Sequence, residues 1–158
     1  MTAAAALVKH LIATEQVLAT AESCTGGMIA AAITDIPGSS EIFEEGLVTY
    51  SNKSKKKFLG VDQKTLDNHG AVSEEVAREM AVNARLQAAA DIGVSVSGIA
   101  GPGGSEFKPE GRVCFAIATR AGVFSETIEF GAIGRANVRV AARDHALTLI
   151  AQASGLSP

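Results

Sequence analysis

The sequence predicts a single layered α/β/α domain, residues 1–158, built on a mixed β-sheet, and three observations predict it. Up to residue 97, apolar strand-like runs alternate with helical stretches, the pattern of a sheet covered on both faces. Two extended runs then follow each other across a short turn, which adds an antiparallel hairpin to an otherwise parallel arrangement. Finally, 47% of the residues are apolar while only 4% are aromatic and Trp is absent, so Ala and Gly supply much of the core. Close packing of helix on sheet through small side chains is the expected result.

Residues 2–15 carry Ala5, Leu7, Val8, Leu11 and Ile12 at helical spacing, with Lys9, His10 and Glu15 on the other face, which predicts an amphipathic first helix. Residues 17–21 suit a buried strand, and the run from Met28 to about Asp35 suits an apolar helix ended by Pro37-Gly38-Ser39-Ser40. Residues 43–50 read as a second strand; within it Phe43 and Leu47 face either the core or a partner. Ser51-Asn52 starts a helix running through Lys53, Lys55, Lys56, Lys57 and Phe58 to Gly60, and residues 62–70 form a further short helix and turn. Ser73-Glu74-Glu75 opens a longer helix to about Ala90, with Val76, Met80, Ala84 and Ala88 as its apolar stripe. Residues 91–97 return to strand. Residues 112–119 and 123–130 flank Ala121-Gly122, a two-residue hairpin signal, and a final helix begins at Gly134-Arg135.

A net charge of -3 gives no reason to expect a nucleic-acid or membrane partner. Cys24 and Cys114 form neither a metal motif nor a disulfide framework, and the opening residues lack the basic region and long apolar core of a signal peptide. A soluble, cytoplasmic protein is the expectation.

Chemistry concentrates at Thr20-Ala21-Glu22-Ser23-Cys24-Thr25-Gly26-Gly27, where a strand turns into a helix. Such a turn projects Ser23 outward while N–H groups near Thr25, Gly26 and Gly27 point at whatever lies in front, so a hydroxyl and an oxyanion pocket would be neighbours. The plainer reading is that Ser23 or Thr25 caps the helix. A nucleophilic serine needs a base. His10 and His145 lie on helices and read as structural, and His69 in a turn is either base or turn former. Lys55 stands apart from its neighbouring lysines because it falls in the first turn of its helix, where the dipole disfavours an ammonium. A lowered pKa is what a lysine base requires at neutral pH. Tyr50 precedes it and could orient the lysine, donate to an oxyanion, or stand as a rim residue. Cys24 is either a thiol nucleophile or a small buried residue.

Two anion-binding features remain. The loop after Ser97 contains Gly101 and Gly103, which let backbone N–H groups approach an anion, although the ending of a P-loop is missing. Residues 103–111, with Glu106 and Lys108, read as a lid beside a pocket or as a plain surface loop. Arg135 and Arg139 lie i,i+4 near a helix N-terminus, where they oppose the dipole, and a bound phosphate would supply the missing negative charge; solvent-exposed arginines are the alternative.

Taken together, the Ser23 motif, Thr49-Tyr50-Ser51-Asn52, His69-Gly70-Ala71-Val72-Ser73 and Ser97-Gly98-Ile99-Ala100-Gly101-Pro102 resemble, in order and spacing, the CinA C-terminal domain family, from about Val17 to Ile150. That family includes the nicotinamide-mononucleotide deamidases, and the chain looks like a stand-alone member. The resemblance implies hydrolysis of the carboxamide of nicotinamide mononucleotide (NMN) to nicotinic acid mononucleotide and ammonia, in pyridine-nucleotide recycling, by a serine and lysine pair without metal or cofactor. By motif the nucleophile falls on Ser23, the lysine on Lys55 and the family's tyrosine on Tyr50; Ser97 stands where many members have threonine, and the last helix's arginine maps to Arg135 or Arg139. Other readings are a non-catalytic nucleotide-binding or regulatory module linked to competence or DNA damage, and a Cys24 hydrolase. A homo-oligomer is compatible with all of them.

Overall fold

In the computed structural model, which describes residues 1–105 and 107–157, every residue of β1 (Leu18–Glu22) is buried, as in a strand covered on both faces. β1 lies between β2 (Phe43–Val48) and β3 (Ile92–Gly98) and runs parallel to both. β4 (Arg112–Thr119) and β5 (Gly122–Glu129) continue antiparallel, giving the order β2-β1-β3-β4-β5. The sheet is mixed, as expected. Glu106, assigned above to a lid, lies outside the described residues.

One face carries α1 (Ala3–Ala13), α2 (Met28–Thr34) and α6 (Arg135–Ser154), whose Leu7, Leu11, Ile29 and Ile150 join Leu18, Val94 and Phe115 in one core. The other carries α3 (Asn52–Leu59), α4 (Gln63–His69) and α5 (Glu74–Ala88), packed over Ala19, Ala21, Ala116 and Ala118. These small residues let α5 press on the sheet. A Cβ at Gly93 would lie 2.4 Å from the Ala81 carbonyl oxygen, so glycine there sets the helix-to-sheet spacing. Because α5 spans several strands, its buried stripe widens beyond the expected one to include Ala77 and Ala81.

Two local expectations shift. Thr119 pairs with Gly122, so the hairpin turn is Arg120-Ala121, one residue earlier than the Gly-based signal suggests. Along β2 a bulge separates the pairs Leu18 with Phe43 and Ala19 with Glu45. A one-residue slip flips the side chains that follow. Phe43 therefore packs on the α2 side and Leu47 on the α5 side, both half-buried against core.

The chain leaves β1 into α2 on one face and leaves β2 into α3 on the other. Loops that part in this way open a crevice at the carboxyl ends of the strands, the usual ligand position in such sheets. Ser23 follows β1, Tyr50 to Lys55 follow β2, and the glycine loop follows β3. No helix among the described residues is long and apolar enough to cross a membrane.

Candidate active site

The chain turns sharply after Ser23 because Gly26 and Gly27 take φ of +60° and +106° in succession, conformations side chains resist. Ser23 N–H still donates to the Val96 carbonyl at 3.0 Å, so the residue is anchored to the sheet while the chain departs from it. Across the crevice, Ser51 caps α3 by accepting from the Ser54 N–H at 3.1 Å, which places Lys55 in the first turn. The neighbouring Lys53, Lys56 and Lys57 are exposed, whereas Lys55 is 1% exposed.

The Lys55 Nζ reaches Ser23 Oγ at 3.1 Å and the Thr49 carbonyl at 2.8 Å, donating to both. Burial lowers its ammonium from the usual 10.5 to about 8, against a smaller opposing influence from Cys24. Roughly a tenth of such a group is neutral at pH 7. In that form the amine has a lone pair and is able to accept a proton along the same contact. Cys24 differs sharply. Burial pushes its thiol up to about 11, and its Sγ sits against Gly98, where an added Cβ would lie 3.1 Å away. A thiol held protonated is a weak nucleophile.

Backbone donors around Ser23 are distributed unevenly. Gly26 N–H donates to the Ser23 carbonyl, and Gly27, Ile29 and Ala30 N–H groups donate to the Glu22 carboxylate. The N–H groups of Cys24 and Thr25 have no acceptor among the described residues. Sequence reasoning spread the oxyanion donors over Thr25, Gly26 and Gly27; the structure leaves Thr25 and its predecessor available instead. Glu22 is the residue that reasoning passed over, and a carboxylate ending an apolar strand is the signal that could have found it.

Both arginines of α6 have defined places. Arg139 donates from Nε to the Cys24 carbonyl at 3.0 Å and from a terminal nitrogen to the Thr25 carbonyl at 3.2 Å. In a trans peptide the N–H points opposite to the C=O, so holding the Cys24 carbonyl turns the Thr25 N–H away from Arg139. Arg135 lines the cleft, donating to the Gly101 carbonyl at 2.6 Å and to the Tyr50 hydroxyl at 2.9 Å. Tyr50, 60% exposed, stands at the rim with Arg135, while the Thr49 carbonyl holds Lys55. Ser97 is buried and donates to the Ala71 carbonyl at 2.8 Å, tying β3 to the opposite wall.

Within the glycine loop, Gly103 N–H donates to Glu110 at 2.6 Å, and Gly101 approaches the same carboxylate so closely that a Cβ would meet it at 2.2 Å. The N–H groups of Ala100, Gly101 and Gly104 have no acceptor among the described residues, and all three residues line the cleft. The cleft itself measures about 310 Å³ and has Ser23 and Lys55 in its wall. The histidines are engaged elsewhere. His10 meets the Ser154 carbonyl at 2.9 Å, His145 pairs with Glu126, and His69 lies 3.8 Å from Glu75.

A solved structure of the competence/damage inducible protein CihA from Agrobacterium tumefaciens superposes with a TM-score of 0.89 at 40% identity, covering 97% of this chain and 96% of that one. A relative from Shewanella oneidensis named nicotinamide-nucleotide amidohydrolase PncC is 53% identical over 123 residues, 77% of this chain and 29% of the relative. A CinA-like protein from Shewanella loihica is 48% identical over 149 residues, 94% of this chain and 35% of that protein. The chain thus spans about a third of the length of these curated relatives. The CinA C-terminal domain model matches residues 1–154, and the chain belongs to that family.

Proposed function

We propose that this domain hydrolyses the carboxamide of NMN to nicotinic acid mononucleotide and ammonia, with Ser23 as nucleophile and Lys55 as base. The observation that carries the chemistry is the buried 3.1 Å contact between Lys55 Nζ and Ser23 Oγ. The name of the Shewanella oneidensis relative supports the choice of amide.

Neutral Lys55 takes the Ser23 proton as Oγ bonds to the carboxamide carbon, and the carbonyl electron pair moves onto oxygen. The resulting oxyanion meets the N–H groups of Cys24 and Thr25. On collapse the carbon–nitrogen bond breaks, Lys55 returns the proton to the leaving nitrogen, and ammonia departs. Water then attacks the acyl-serine, Lys55 takes its proton, and Ser23 Oγ leaves with that proton as the acid is released. Arg135, braced by Tyr50 and Gly101, binds the 5′-phosphate with the N–H groups of Ala100, Gly101 and Gly104. Binding energy at that end places the amide at Ser23. Arg139 serves the turn rather than the phosphate.

Ammonia release from NMN by the wild type and by Ser23→Ala tests this reading. Release that disappears with Ser23 is expected. Undiminished release from Ser23→Ala removes the serine mechanism, and a wild type that binds NMN without releasing ammonia replaces the enzyme with a nucleotide-binding module.

A further inference from the structure

Glu22 is 1% exposed, and no cationic side chain pairs with it among the described residues. Its Oε1 accepts from the Thr25 hydroxyl at 2.6 Å and from the N–H groups of Ile29 at 2.9 Å and Gly27 at 3.2 Å; Oε2 accepts from Ala30 N–H at 3.1 Å. Every donor comes from the turn after Ser23 or from the first turn of α2. A carboxylate buried without a counter-ion is costly, and helix ends are ordinarily capped by a short side chain at the cap itself. Here the cap is Gly27, which has none, and the acceptor reaches in from the end of β1.

That origin matters for the geometry. The carboxylate belongs to the residue before Ser23 and binds the residues after it, so it closes a ring around the nucleophile. One side of the ring is fixed by the pairing of Glu22 with Val48 and Val96 in the sheet, the other by α2, and the Thr25 hydroxyl pins the turn between them. Arg139 holds the outer carbonyls of the same turn. We infer that Glu22 is a positioning residue, which acts through the turn to aim Ser23 Oγ and the N–H groups of Cys24 and Thr25 at one point in the cleft. A substrate in the cleft would touch Ser23 and those N–H groups, not Glu22. A small misplacement of a nucleophile is expensive in rate while leaving binding at the far end of the substrate intact.

The inference rests on the proposed amide hydrolysis, and two readouts keep the two apart: steady-state ammonia release from NMN, and the rate at which a fluorophosphonate labels Ser23. Glu22→Gln preserves shape but puts a donor where an acceptor is needed; a kcat lower by about tenfold or more with KM within about twofold is expected, with labelling slowed alongside. Thr25→Val keeps the backbone N–H and removes only the hydroxyl, and a smaller loss of the same kind is expected. Near-wild-type kcat and labelling in both folded variants overturn the inference. So does a KM that rises in step with the fall in kcat, the pattern of a distorted pocket. If Glu22→Gln does not fold, Thr25→Val decides alone. A wild type that is labelled but releases no ammonia sinks the amidase reading; labelling slowed in the variants then still supports Glu22. Absence of labelling at wild-type Ser23 overturns both.

Discussion

Two clefts flank the segment 69–73, and the larger is the one whose charged groups are paired. It measures about 710 Å³, lies between α5 and the β4–β5 hairpin, and is lined by Glu74, Arg78, Lys108, Arg112 and Glu129. These groups satisfy one another. Glu74 accepts from Ser125 and Thr127, Arg78 donates to Ser125, Arg112 pairs with Glu129, and Lys108 donates to the His69 and Val72 carbonyls. The smaller cleft holds an amine whose charge burial disfavours, and its lining residues Cys24, Ala100, Gly101 and Gly104 carry N–H groups without acceptors among the described residues. Volume measures room for a ligand. Groups left uncompensated measure what the protein can do to one, and such groups cluster at functional sites.

The sharpest way to break this contrast is Lys55→Met. Loss of turnover by at least about a thousandfold is expected, since the proposed base is then gone. Stability should move the other way. A fall in the ammonium from 10.5 to about 8 corresponds to about 3 kcal/mol against folding where both the folded and the unfolded chain carry the proton. Below pH 8 both states are charged and the folded one bears the full penalty; between about 8 and 10.5 the folded state releases its proton first, and stability rises with pH. Denaturant melts at pH 7 should therefore show Lys55→Met to be more stable than wild type, with the advantage fading as the pH rises from about 8 to 10.5. A destabilised variant would mean that the amine stabilises the fold, as the paired groups of the larger cleft do.

Arg135→Ala is expected to raise KM for NMN by roughly 10- to 100-fold with a much smaller change in kcat, the scale of one charge-assisted contact. A kcat loss at unchanged KM would move Arg135 from the phosphate to the reacting end. The pH profile gives a finer measure: kcat/KM should fall about tenfold per pH unit below 8 and level off above it, because in the proposed mechanism only neutral Lys55 takes the serine proton. A flat profile across that range would remove Lys55 as the titrating base.

How much of this was legible follows from what spacing encodes. The strand, the double glycine and the helix around Ser23 are local, and the caps Ser51 and Ser73 sit where short hydroxyl residues were expected to cap. The meeting of Ser23 with Lys55, residues separated by α2 and β2, is a fact of topology, and in the sequence it could be anticipated only through the family resemblance. Helical periodicity puts Arg135 and Arg139 on one face but does not say which carbonyls wait at each level. The bulge in β2 separates Phe43 from Leu47, and alternation alone cannot register an inserted residue. Glu22 was visible as a charge inside an apolar strand, yet its four donors come from residues the turn folds back onto it.

Glu74→Gln makes the smallest expected change and tests the quiet side of the comparison. Glu74 accepts hydroxyl bonds at 2.9 Å from Ser125 and at 2.8 Å from Thr127, which brace β5 against the start of α5. The amide can still accept one of them, so the cost is the weakening of a partly exposed network, about 1 kcal/mol. Ammonia release should stay within about twofold of wild type, because Glu74 does not line the smaller cleft, and segment 69–73, which the two clefts share, is held by Ser97 and Lys108 independently of Glu74. A drop in kcat beyond that, at unchanged stability, would mean that the larger cleft communicates with Ser23, and that satisfied charges can carry function through the wall they share.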